Sequence, residues 1–152
     1  MMMDKRGIKK IINEVTPDII AMRRHIHENP ELSGEEVNTA AFMAEKLRSF
    51  GTEVEEHVAG TTAVLGYLKG GKPGPVIALR ADMDALPMTE ATGLSFASKS
   101  PGKMHACGHD GHMSILLGAA EVLSRIKDDL SGTVVFICQP SEEKSPVGGA
   151  KG

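Results

Sequence analysis

Val76-Ile77-Ala78-Leu79-Arg80-Ala81-Asp82-Met83-Asp84 opens as a short, fully apolar strand and runs straight into two carboxylates. A second stretch repeats the plan. Thr133 to Cys138 is a buried strand that ends in Gln139-Pro140-Ser141-Glu142-Glu143. Between them, Met113 to Ile126 is apolar nearly all round, which predicts a well-buried helix. Helices mixed with short apolar strands define an α/β domain. Ligands in such sheets gather at the carboxyl ends of the strands. The polar clusters at 80–84 and 139–143 stand at two such ends, so they are expected to converge with the polar loop over about 88–112.

Working outward, residues 8–28 carry Ile8, Ile11, Ile12, Val15, Ile19, Ile20 and Met22 near helical spacing, with Pro17 as a kink or restart and Asn29-Pro30 as the stop. Ser33 and Glu36 have the S-x-x-E spacing of a capping box. Val37, Ala40, Ala41, Ala44, Leu47 and Phe50 follow at amphipathic spacing, and Gly51 suits the position after the helix. Thr52–Val58 and Thr61–Leu68 read as strands, and Gly70–Pro75 as a turn or short loop.

The bulk numbers fit one soluble domain. The chain has 152 residues, 41% hydrophobic and 24% charged. Aromatics make up only 3%, so the core must be aliphatic. Net charge is −3 and no basic patch with interleaved aromatics occurs, which argues against a nucleic-acid partner. The apolar runs are too short for a membrane span. No apolar stretch follows the charges of the N-terminus, so no signal peptide is expected. With two cysteines, Cys107 and Cys138, the expected setting is a reducing cytoplasm with free thiols.

The densest chemistry lies in His105-Ala106-Cys107-Gly108-His109-Asp110-Gly111-His112. Cys107 and His109, two residues apart and separated by glycine, can face one transition metal ion. A helix N-terminus beginning near Gly111 would favour the thiolate. His105 and His112 are open to supporting, substrate-contacting or capping roles. In Glu142-Glu143, one carboxylate can bind metal while its neighbour acts as general base. Asp82 and Asp84 alternate onto one face, where they can bind metal or orient a ligand imidazole; Arg80 can equally pair with one of them. His25 and His27, with Arg23 and Arg24, do not share a helical face and read as surface or packing residues.

Four segments then resemble the M20 group of metal-dependent peptidases and amidohydrolases, in the branch that deacylates N-acyl amino acids, which includes hippurate hydrolases and auxin-conjugate hydrolases. They are Arg23 to Ser33, Leu79 to Pro87, Met104 to Met113, and Gln139 to Glu143 with Gly148-Gly149-Ala150. The resemblance implies a three-layer α/β/α catalytic domain, with residues 1–152 as its N-terminal part and the lid or dimerisation domain absent. It implies two divalent metal ions with Cys107, His109 and Glu143 as ligands; a thiolate leans toward zinc, cobalt or nickel, while the carboxylates also suit manganese. It makes Glu142 the general base and Asp84 the aspartate that supports the site. Asp82 stands where many M20 enzymes place a ligand histidine and is not assigned to metal.

The implied substrate is a small N-acyl amino acid, and the full-length family offers homodimers. The family's two remaining ligand histidines fall downstream of Glu143, beyond Gly152, so this chain is expected to be an inactive front half. Lys144-Ser145-Pro146-Val147 replaces the glycine-rich run usual after the glutamate pair. The alternative is a stand-alone metal-binding or interaction module with three ligands and water.

Overall fold

The computed structural model describes residues 4–144 and 148–151. Ser145–Val147 of the loop after the glutamate pair lie outside the described residues. The order is α1 (Lys5–Glu28), α2 (Val37–Ser49), β1 (Glu53–Val58), β2 (Ala63–Lys69), β3 (Lys72–Asp82), α3 (His109–Ser124) and β4 (Ser131–Gln139). The four strands form one mixed sheet, ordered β1-β2-β4-β3. β1–β2 and β2–β4 are antiparallel, and β3–β4 is parallel. The α/β class expected from the sequence holds.

In-register partners show how the core forms. Leu79 stands beside Phe136 and Ala81 beside Cys138, and Cys138 in turn pairs with Val64. Side chains of paired residues share a face. That face, with Val64, Leu68, Ala81, Phe136 and Cys138, packs against Met22 and Ile26 of α1, Met43, Ala44 and Leu47 of α2, and Met113, Leu117 and Ala120 of α3. The described residues therefore supply the sheet and one helical layer.

Several boundaries differ from the sequence reading. α1 runs unbroken through Pro17, starting at Lys5, where Asp4 accepts from the Gly7 amide at 2.8 Å. β3 begins at Lys72, within the expected turn. Pro73 and Pro75 are tolerated because β3 is the sheet edge and owes no amide to a partner on its open side. Where β4 begins, Gly132 (φ 84°) lies so close to Pro75 that a Cβ would fall 1.8 Å from the Pro75 carbonyl oxygen. α3 begins at His109, so the last residues of the His105–His112 stretch form its first turn. It is not buried all round: Ile115 is 71% exposed.

The S-x-x-E pair is not a capping box. No side-chain cap bond forms at the α2 N-terminus from Glu36. Glu31 takes that role, accepting from the amides of Asn38 (3.2 Å) and Thr39 (2.8 Å). Ser33 and Glu36 are drawn instead to the loops beyond β3 and β4.

Candidate metal centre

β3 and β4 run parallel, so Asp84 and Glu142-Glu143 emerge at the same end of the sheet. The Met83 amide donates to the Gln139 carbonyl at 2.9 Å and extends the ladder past both strand ends. The third element is the loop leading into α3. Gly108, at φ 98°, adopts the left-handed turn that lets Cys107 stay in the loop while His109 starts the helix.

One ligand atom each from Cys107, His109 and Glu143 lies within 4.8 Å of the others. His109 Nε2 is 3.8 Å from Glu142 Oε2 and 3.9 Å from Glu143 Oε1. His109 Nδ1 is 2.8 Å from the Asp84 carbonyl oxygen. With the Nδ1 proton donated to that carbonyl, Nε2 is the nitrogen that faces the glutamates, and its lone pair becomes free for a metal once its proton leaves. The sequence reading thus gathers into one place. His112 is exposed on the first turn of α3 and joins Asp82 and His109 in a second, overlapping triad. Asp82 is paired with Arg80 through two hydrogen bonds of 2.9 and 2.6 Å.

Asp84 is almost fully buried and organises its surroundings. Ser33 Oγ donates to it at 2.6 Å, and the amides of Glu142 and Glu143 donate at 3.1 and 2.9 Å. Burial raises its pKa, but the hydrogen bonds from His109, Ser33 and the two amides outweigh burial and hold it well below the usual carboxylate range. The hydrogen bond to Asp84 in turn raises His109 to about 9, against the effect of burial.

The thiol departs from expectation. Cys107 is exposed, and its pKa is raised rather than lowered by the helix N-terminus. Its hydrogen bond with Glu143 is the largest cause, followed by desolvation and the charges of Glu143, Glu142 and Asp82. A thiol held protonated by crowded carboxylates is a site of concentrated negative charge. A divalent cation there would offset that charge and favour the thiolate. The sulfur, nitrogen and oxygen donors and their spacing therefore fit a borderline transition metal.

Two histidines lie elsewhere. His25 stacks on Phe42 with ring centroids 4.6 Å apart, as a packing residue. His27 is buried and more than packing: Nδ1 is 3.0 Å from Asp110 Oδ2 and Nε2 is 3.3 Å from Glu90 Oε1. Arg23 also donates to Asp110, at 3.1 Å. His105 is buried with both ring nitrogens unpartnered among the described residues, which rules out a capping role in this structure. Burial lowers it to about 4. The sequence reading assigned no role to Asp110, whose only signal was its proximity to His109, and read Ser33 as part of a cap rather than as a partner of Asp84.

The fold and the cluster together define an α/β protein with a Cys/His/Glu centre, able to hold metal, at the carboxyl ends of two parallel strands. Residues 78–152 match the model of peptidase family M20/M25/M40. The chain is 54% identical, over 95% of its length, to thermostable carboxypeptidase 1 of Saccharolobus solfataricus, and covers 37% of that protein. It is 50% identical, over 98% of its length, to an N-acyl-L-amino acid amidohydrolase of Geobacillus stearothermophilus, covering 40% of it. The solved structure of Bacillus subtilis YXEP protein, described as a dinuclear metal-binding peptidase of the M20 family, superposes with a TM-score of 0.80 at 45% identity; the match covers 89% of this chain and 36% of that one. The chain is an M20-family sequence, aligned with the N-terminal part of its relatives. It spans about two fifths of the length of these curated relatives.

Proposed function

We propose that these residues form the N-terminal part of the catalytic domain of a metal-dependent amidohydrolase. Its substrate is a small amide whose amine side is an amino acid. The observation that carries the reading is the convergence of Cys107, His109 and Glu143 within 4.8 Å beside Glu142. The relatives' names support it: an N-acyl-amino-acid amidohydrolase and a carboxypeptidase both release an amino acid from an amide.

In this reading Cys107, His109 and Glu143 hold metal, and a pair of divalent ions is favoured by the dinuclear relative. The metal, when bound, polarises the acyl carbonyl and makes water acidic enough to attack. Glu142 takes the proton from the attacking water and returns it to the leaving nitrogen. Asp84 fixes the imidazole of His109 and, through the amides of Glu142 and Glu143, the position of both glutamates. Two free thiols, Cys107 and Cys138, suit a reducing cytoplasm.

The test compares wild type with Cys107→Ser, Glu143→Ala and Glu142→Gln. Metal content should fall in the first two and persist in the third. Release of amino acid from N-acetyl or N-benzoyl substrates by the protein carrying this chain should be lost in all three. Metal content equal to wild type in both Cys107→Ser and Glu143→Ala would overturn the ligand assignment.

A further inference from the structure

The Glu36 carboxylate is fully buried, with 0% exposure. Among the described residues, no cation lies within ion-pair distance of it. Every partner is neutral. Oε2 accepts from the Gly34 amide at 2.9 Å and from Thr62 Oγ1 at 3.0 Å. Oε1 accepts from the Ser141 amide at 2.8 Å, with the Ser141 hydroxyl at 3.5 Å. A buried carboxyl needs a hydrogen-bond donor for each oxygen, and these neutral groups supply them.

Ser141 sits at φ 55°, in the left-handed region that a residue with a Cβ enters at a cost. The two residues after it are Glu142 and Glu143, whose amides both go to Asp84. Three successive amides, of Ser141, Glu142 and Glu143, are thus held by two buried carboxylates, one from the start of α2 and one from the end of β3. Amides fixed in this way leave the glutamate side chains facing His109.

We propose that Glu36 is a positioning residue for the Glu142–Glu143 turn: its buried carboxylate holds Ser141 in the left-handed conformation that turns both glutamates toward His109. The inference rests on the metal-site reading given above. Glu36 touches neither the cluster nor any reacting atom, so its effect is on the geometry with which Glu143 meets a metal and Glu142 meets water. Residues that orient ligands from outside typically change metal affinity ten- to a hundredfold when removed.

The experiment uses the cobalt(II)-loaded protein and three variants. Glu36→Met fills the same space without an acceptor. Glu36→Gln keeps one carbonyl oxygen for the Ser141 amide. Thr62→Val removes a donor from the far carboxylate oxygen and leaves Ser141 untouched. Cobalt affinity, the thiolate charge-transfer band and the ligand-field bands are recorded beside circular dichroism and thermal midpoints.

Glu36→Met should bind cobalt at least tenfold more weakly and show altered ligand-field bands, while its Cys107 thiolate band persists. Glu36→Gln should recover most of the affinity, and Thr62→Val should stay within twofold of wild type. If Glu36→Met fails to fold, Glu36→Asp, which withdraws the carboxyl by one methylene, is measured in its place with the same expectation. A folded Glu36→Met, or Glu36→Asp in its place, with wild-type affinity and bands overturns the proposal. So does Thr62→Val weakening cobalt as much as Glu36→Met, which marks general loosening. If Glu143→Ala binds cobalt like wild type, the metal-site reading fails first and takes this one with it.

Discussion

The Ser33 hydroxyl donates a 2.6 Å hydrogen bond to Asp84 Oδ2 across 51 positions of sequence. The segment before α2 thereby braces the carboxylate that holds His109 and the glutamate turn. The same Oδ2 accepts from the Glu143 amide, while Oδ1 accepts from Glu142.

Asp84→Asn should be destabilising although it changes one atom. In either orientation of the amide, its NH2 meets the backbone N–H of Glu142 or of Glu143, and neither of those groups can accept. Ser33 can rotate its hydroxyl; an amide cannot. The expected cost is about 1–3 kcal/mol, the range for an unsatisfied buried donor. Denaturant unfolding of the metal-free protein reads it, and an unchanged midpoint would contradict the role given to Asp84.

Metal uptake should depend on pH with a definite sign. His109 is held at about 9 and Cys107 above its ordinary value, so both carry protons at neutral pH in the metal-free protein. Ligands bind metal deprotonated. Cobalt affinity should therefore rise steadily from pH 6 towards 9, with proton release on binding. The metal-free fold should show the opposite trend. The raised His109 contributes stability fully below its unfolded value of 6.5, and that contribution fades as pH climbs through about 9. Competition titrations and thermal scans across this window test both halves, and a flat affinity profile would refute the first.

Phe136 and Ile115 should behave as opposites. Phe136 is fully buried where β4 meets the helices, so Phe136→Ala should cost about 3–5 kcal/mol. Ile115 is 71% exposed, so Ile115→Ser should fall within about 0.5 kcal/mol of wild type. Urea midpoints of the two variants decide; comparable losses would mean that α3 packs on a different face.

The strands and helices were legible because their apolar spacing is local. The His105–His112 loop and the glutamate pair were legible because ligand chemistry was crowded into few positions. Ser33 and Glu36 were not. Their spacing is that of a cap, and what decides otherwise is a pair of partners 51 and 105 positions away. His27 escaped for the same reason: its partners, Asp110 and Glu90, lie 83 and 63 positions off. Pro17 does not restart the helix, because one missing amide does not break a helix whose buried face, through Val15 and Met22, stays packed on α3. The raised thiol of Cys107 was also hidden, since the charge around it comes from Glu143 and Glu142 after β4 and from Asp82 at the end of β3.

The parallel pairing of β3 with β4 also sets an order of events. The two strands are joined through the long loop and α3, so their ladder closes a large, non-local loop of chain. Asp84 and Glu143 come together only once that ladder exists. Refolding should therefore proceed in at least two kinetic stages, with helix signal first and metal capture last. In stopped-flow refolding with cobalt present, the thiolate band should lag the far-ultraviolet dichroism. Simultaneous rise of the two would mean that the loop before α3 captures metal without the sheet. The centre is thus a reporter, within the chain itself, of whether two strands separated by the whole of α3 and its loop have found each other.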